Sequence, residues 1–141
     1  MSLEKIGKTD DPKMRLLVAD DEDIIRNRLK DVGEKLGFKV FTAKDGKEGW
    51  EIFKTVHPNL AVLDIYMPAM NGLLLMHKIK EHSPDCPVIL ITGFLHYEQL
   101  IQKDRIKPDG FIIKPFHLEK IANMIIELLS SKPAELTEKG A

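Results

Sequence analysis

Leu60-Ala61-Val62-Leu63-Asp64-Ile65-Tyr66-Met67-Pro68, running on to Gly72, is the stretch on which the reading of this chain turns. Four apolar residues lie between His57-Pro58-Asn59 and an acid, the pattern of a strand buried on both faces in the middle of a parallel sheet. Pro68, Asn71 and Gly72 then end the strand and force a loop, which places Asp64 at the rim of the sheet. Ligands of open parallel sheets gather beyond that C-terminal edge. A lone strand-end Asp is usually a turn or cap residue, so its meaning depends on what else reaches the same edge.

Outward from this stretch the pattern repeats. Arg15-Leu16-Leu17-Val18-Ala19 is a short apolar run ending in Asp20-Asp21-Glu22-Asp23; Phe38 to Thr42 makes another; Val88-Ile89-Leu90-Ile91 ends at Thr92-Gly93; and Phe111-Ile112-Ile113-Lys114 is the last. Helical spacing fills the gaps. Ile25, Leu29, Val32 and Leu36 lead to a stop at Gly37, and Asp45-Gly46 opens a helix that carries Trp50 and Phe53 inward. Asn71 to His82 buries Leu75, Met76 and Ile79, Leu95 to Ile106 reads as a fourth helix, and Leu118, Ile121, Ile125, Leu128 and Leu129 mark a fifth. Strands alternating with helices predict an α/β domain whose parallel five-stranded sheet is covered on both faces. Residues 1–13 read as a flexible lead-in, 14–130 as the domain, and 131–141 as a flexible tail or linker.

Composition narrows the classes. A chain of 141 residues makes one domain, able to bury roughly two thirds of its unfolded surface without disulfides or a structural metal. Its 22 acidic and 21 basic residues nearly cancel, with no block of like charge to serve a nucleic-acid groove or a polybasic membrane face. The single Cys86 has no partner within the chain and reads as a small hydrophobe beside a strand. No apolar run approaches the roughly 18 residues of a membrane span, and no signal-peptide core opens the chain, so a cytoplasmic location is expected.

The strand ends can then be collected. Asp20 and Asp21 follow the first strand, Asp64 ends the third, Thr92 follows the fourth and Lys114 closes the fifth, all on one edge of a right-handed parallel sheet. Carboxylates crowded there would repel by about 4 kcal/mol per pair at 4 Å and an effective dielectric of 20. Lys114 offers one compensating charge, and a hard divalent cation offers two more. Mg²⁺ suits oxygen ligands, and the five histidines and the lone cysteine form no cluster at ligand spacing. The chemistry that fits is phosphoryl transfer to a carboxylate: an Asp of ordinary pKa near 3.9 needs no general base, only neutralisation and positioning. Taken singly, the acids could be a charged helix N-terminus, Thr92 a helix cap, Lys114 a solvated strand end and Phe111 core.

Together these residues resemble the CheY-like receiver domain of two-component response regulators. The resemblance runs from about Arg15 to Ser130 and rests on Asp20-Asp21, Leu63-Asp64-Ile65-Tyr66-Met67-Pro68 with Gly72, Ile91-Thr92-Gly93 and Lys114-Pro115-Phe116. Asp21, Asp64, Thr92 and Lys114 are 43, 28 and 22 residues apart in succession. It implies a flavodoxin-like doubly wound (βα)5 fold with strand order 2-1-3-4-5. It further implies that Asp64 is phosphorylated by a sensor histidine kinase or a histidine phosphotransfer protein. Mg²⁺ would be held by Asp21, Asp64 and the backbone carbonyl of Tyr66, with Asp20 acting through water. Lys114, followed by a cis bond to Pro115, would contact the phosphoryl group, and Thr92 and Phe111 would form the switch. The surface of the fourth helix, fifth strand and fifth helix would carry partner contacts or a homodimer. Self-catalysed phosphorylation and dephosphorylation would be the extent of its chemistry, with no separate substrate turned over.

Some residues depart from the family's pattern. Gly93 stands where Ala is usual, Phe111 where Tyr is common, and Leu95 to Gly110 lacks the small residues common in the fourth helix and its following turn. Tyr66 and Phe94, two residues past Asp64 and Thr92, are bulky where water would approach a phosphoryl group, which predicts a long-lived phosphoryl group; the alternative is that they only stack on neighbouring loops. A different class also fits part of the chain. Asp21-Glu22-Asp23 has the Asp-x-Asp look of a small Mg²⁺-dependent haloacid-dehalogenase-type phosphohydrolase with Asp21 as nucleophile, although no stretch could supply a substrate cap.

Overall fold

The computed structural model describes residues 13–94 and 96–130. Apart from Lys13, the lead-in expected over 1–13 and the tail expected over 131–141 lie outside the described residues, as does Leu95. Five strands, β1 (Arg15–Ala19), β2 (Lys39–Ala43), β3 (Leu60–Asp64), β4 (Val88–Thr92) and β5 (Gly110–Ile113), alternate with five helices, α1 (Asp23–Lys35), α2 (Gly46–Val56), α3 (Gly72–His82), α4 (His96–Lys103) and α5 (Leu118–Ser130). The strands pair in parallel in the order β2-β1-β3-β4-β5, the doubly wound order expected.

Period-two alternation along the central strands builds two cores. Leu17 and Ala19, Ala61 and Leu63, and Val88 and Leu90 point to one face, where they meet Phe53 of α2, Leu75, Met76 and Ile79 of α3, and Ile101 of α4. Leu16 and Val18, Leu60 and Val62, and Ile89 and Ile91 point to the other, against Leu29 of α1 and Ile121 and Ile125 of α5. Since β3 and β4 are buried along their whole length, they read as unbroken apolar runs. Cys86 is buried on the α2–α4 side.

Caps set the helix starts that position the loops. Asp45 accepts the Glu48 N–H at 2.7 Å while Glu48 Oε1 accepts the Lys44 N–H at 2.8 Å, a reciprocal cap at the start of α2. Asn71 accepts the Leu74 N–H at 2.9 Å and so starts α3.

Several boundaries differ from the sequence reading. β2 begins at Lys39 because Gly37, at φ 99°, turns the chain and the Phe38 N–H is still bonded to Gly33 O at the end of α1. β5 begins at Gly110 and ends at Ile113, although the Lys114 N–H still donates to Thr92 O at 2.7 Å. α4 stops at Lys103, short of Ile106, because Asp104 turns the chain: its Oδ1 accepts the Ile106 N–H, and Lys107 Nζ takes the terminal carbonyls of Ile101 and Gln102.

Candidate functional site

The C-terminal edge of the sheet gathers four of the expected side chains. Asp20 follows β1 and extends its ladder, its N–H donating to Ala43 O at 3.0 Å, and it is fully buried. Asp64, the last residue of β3, is 4% exposed, whereas Asp21 is open to solvent. One carboxylate oxygen from each of these three residues lies within 4.8 Å of the other two. Lys114, which precedes a cis bond to Pro115, has its Nζ 3.2 Å from Asp20 Oδ2 and 3.6 Å from Asp64 Oδ2. Above them is a cavity of about 300 Å³ bordered by Asp21, Asp64, Tyr66, Phe94 and Lys114.

Close backbone approach holds the β3 rim in place. A Cβ on Gly72 would stand 2.3 Å from the carbonyl oxygen of Asp64, and one on Gly46 would stand 1.9 Å from that of Met70. Only glycine lets α3 and α2 press against the loop after Asp64. The reason for Gly46 appears only in three dimensions, because Met70 is 24 residues away in sequence.

Thr92 is fully buried at the end of β4, and its Oγ1 accepts the Phe94 N–H at 3.1 Å, a bond that does not use the hydroxyl's own O–H donor. Phe111, paired with Leu90 on β5, is half-buried against the α2–α4 core. The rings of Tyr66 and Phe94 meet edge-on at 5.5 Å over the cavity mouth, 60% and 46% exposed.

Crowding changes the acids. Burial, reinforced by the charge of Asp20, pushes Asp64 up to about 7 despite Lys114. This corrects the expectation of an ordinary carboxylate, which took no account of how deeply the β3 end is buried. Burial also raises Asp20, outweighing the Glu22 N–H and Lys114. Burial alone would lower Lys114, but its hydrogen bond to Glu22 and the charges of Asp64 and Asp20 raise it, so the lysine is held as a cation.

Glu22 was not singled out as a pocket residue from sequence, yet its Oε1 accepts a hydrogen bond from Lys114 Nζ at 2.7 Å, the shortest contact that ammonium makes with the acids. The only signal was its place in the acidic run after β1. Asp20 Oδ2 is buried with no hydrogen-bond partner, although Lys114 Nζ stands 3.2 Å away as an ion pair. A buried carboxylate oxygen left without a donor, in a set made only of oxygen ligands, fits a hard divalent cation.

Comparison with known proteins agrees with this arrangement. The family model of the response regulator receiver domain matches residues 16–126. The chain is 32% identical over 113 residues to the regulatory protein AtoC of Escherichia coli, covering 80% of this chain and 24% of that protein. It is 35% identical over 117 residues to the probable transcriptional regulator ycf27 of Cyanophora paradoxa, covering 83% of this chain and 48% of that one. The chain thus spans between about a quarter and about half the length of these relatives. Among solved structures, the response regulator TrrA of Thermotoga maritima, in complex with Mg²⁺ and BeF, superposes with a TM-score of 0.74 at 30% identity, over 82% of this chain and 98% of that one. The match is to receivers and not to a haloacid-dehalogenase-type hydrolase, so the alternative built on Asp21 as nucleophile has no support. Receiver domains bind Mg²⁺ at an acidic pocket such as that of Asp20, Asp21 and Asp64. Among the described residues no helix is long and apolar enough to cross a membrane. The chain belongs to the response regulator receiver domains of two-component signal transduction.

Proposed function

We propose that Asp64 is the residue that accepts the phosphoryl group, from a phosphohistidine on a sensor kinase or phosphotransfer protein, and that the protein catalyses this transfer on itself. The observation that carries the reading is the convergence of three carboxylates within 4.8 Å, with an ammonium 3.6 Å from the one at the β3 rim. An oxygen of Asp64 attacks phosphorus, the bond from phosphorus to the donor imidazole nitrogen breaks, and that nitrogen keeps the electron pair. Lys114 neutralises the oxygens that arrive on Asp64. Asp21, Asp64 and the carbonyl of Tyr66 would hold Mg²⁺, with Asp20 beside them. The two positive charges of that ion would keep Asp64 ionised at neutral pH and screen the phosphoryl oxygens.

Phosphorylation takes Asp64 from −1 to roughly −2 and adds strong acceptors. The Thr92 O–H, which the bond from the Phe94 N–H does not use, is then drawn to donate to the phosphoryl group, and Phe111, half-buried on the neighbouring strand, repacks as Thr92 moves. The face of α4, β5 and α5 is re-shaped for a partner or for a second copy of the chain. A cytoplasmic location accords with this role.

Intact mass after incubation with acetyl phosphate and Mg²⁺ tests the reading. A single phosphoryl adduct is expected on the wild type and none on Asp64→Asn or without the metal. Steady release of phosphate that survives Asp64→Asn would overturn it.

A further inference from the structure

We propose that Glu22 is a positioning residue that holds Lys114 away from Asp64 in the unphosphorylated protein, and thereby slows acceptance of phosphate. The proposal rests on the reading that Asp64 is the acceptor and Lys114 meets its phosphoryl group.

The lysine has three acids to choose from. Its hydrogen bond goes to Glu22 Oε1 at 2.7 Å, while Asp20 is at 3.2 Å and Asp64 at 3.6 Å. Glu22 is placed for this by the turn after β1. Its N–H donates to Asp20 Oδ1 at 2.9 Å, and although it occupies the N-cap of α1 its side chain makes no capping bond. A carboxylate there would normally face the positive end of the helix. This one instead spans 92 residues of sequence to bind the β5–α5 loop.

The ion pair also stands on a boundary. Glu22 and Lys114 line both the cavity over Asp64 and a second one of about 390 Å³ between α1 and the start of α5, bordered by Ile25, Phe116 and Leu118. Glu22 is 60% exposed on its side chain and Lys114 only 16%, so the acid is free to swing outward while the lysine stays in the pocket.

An interaction made in the resting state and weakened in the transition state raises the barrier. Phosphoryl oxygens arriving on Asp64 compete with Glu22 for the same ammonium. A half-exposed ion pair is worth enough to change the rate by about two- to fivefold.

Two variants separate contact from charge. Glu22→Gln keeps the length and loses the charge; Glu22→Asp keeps the charge but is one methylene too short to hold Lys114. The rate constant for Asp64 phosphorylation by acetyl phosphate is measured at saturating Mg²⁺ by intact mass. The exchange rate of the Lys114 ammonium protons is read by ¹⁵N NMR in the metal-free protein. Both variants should be phosphorylated about two- to fivefold faster than the wild type, with faster ammonium exchange in both. A faster Glu22→Gln beside an unchanged Glu22→Asp would mean that the charge merely repels the anionic donor, and would overturn the proposal. Unchanged or slower rates in both variants would overturn it as well. A wild type that takes no phosphoryl group on Asp64 would instead remove the reading beneath, which the wild-type measurement alone reveals.

Discussion

Gly72 and Gly93 both border the acidic pocket, yet a methyl group would be received very differently at the two. At Gly72 it would collide with the Asp64 carbonyl at 2.3 Å, and backbone cannot give way as a side chain can. At Gly93 the nearest atom is Lys114 Cβ at 3.9 Å, an ordinary contact, and the backbone is not in the left-handed region. Gly93→Ala should therefore stabilise the protein by about 0.4–1 kcal/mol, by restricting the unfolded chain. Gly72→Ala should cost about 1–3 kcal/mol and displace Asp64. Urea unfolding of both variants checks this, and a destabilised Gly93→Ala would mean that the loop after β4 needs glycine for its conformation. At this scale the sequence was uneven evidence. Asp20, Asp21, Asp64 and Lys114 were legible because strand ends on one edge must meet. Glu22 was not, because which acid captures a lysine depends on ångström-level placement of a loop, and Thr92 was legible as a strand end but not as a donor-occupied hydroxyl.

Elements carry the next two predictions. The β3–α3 and β4–α4 loops touch through Tyr66 and Phe94, whose edge-on rings are worth about 0.5–1.5 kcal/mol beyond the area they bury. Water attacking a phosphoryl group on Asp64 from the cavity mouth must first part them, so replacing both by Asn or Ser should speed loss of phosphate by about two- to tenfold. A radiolabelled decay curve indistinguishable from wild type would leave the rings as packing alone. The short α4 is anchored at its far end. Asp104 bonds His77 of α3 at 2.6 Å and caps the Ile106 N–H; burial opposes the charge, but these partners win and hold the carboxyl below its usual range. This contribution is present above the unfolded carboxyl pKa near 4 and is lost as pH falls through the lower folded value. Asp104→Asn should accelerate hydrogen exchange in α4 and its following turn while leaving α1 and α2 unchanged. The early end of α4 was illegible because no glycine or proline comes before Ile106 to mark a stop, whereas the stop comes from side chains of Asp104 and Lys107 bonding back to backbone.

Across the whole molecule, two apolar cores hold the sheet so firmly that the strand ends are brought together whether or not their charges agree. Strand order and the two-sided cover could be read from alternation and unbroken apolar runs, since those patterns are the burial itself. The cost of closing that edge could not, because it arises from desolvation. Its sign follows from Asp64. In the metal-free fold this carboxyl holds its proton up to about 7, whereas the unfolded chain releases it near 3.8. Its contribution to stability is therefore complete below pH 4 and is lost as pH rises to 7, and the raised Asp20 pulls in the same direction. Metal-free protein should lose roughly 2–4 kcal/mol from this group between pH 4 and pH 8. Asp64→Asn should flatten that slope, and it should be more stable than wild type at pH 8. Added Mg²⁺ should stabilise the wild type far more at pH 8 than at pH 5, since at the lower pH it must displace a proton to bind. Urea titrations across this range, with chelator and with Mg²⁺, measure all three. A wild type whose chelated stability is as flat as that of Asp64→Asn would mean that the edge opens enough to hydrate its carboxylates, and that the fold does not hold them under strain while it waits for the ion.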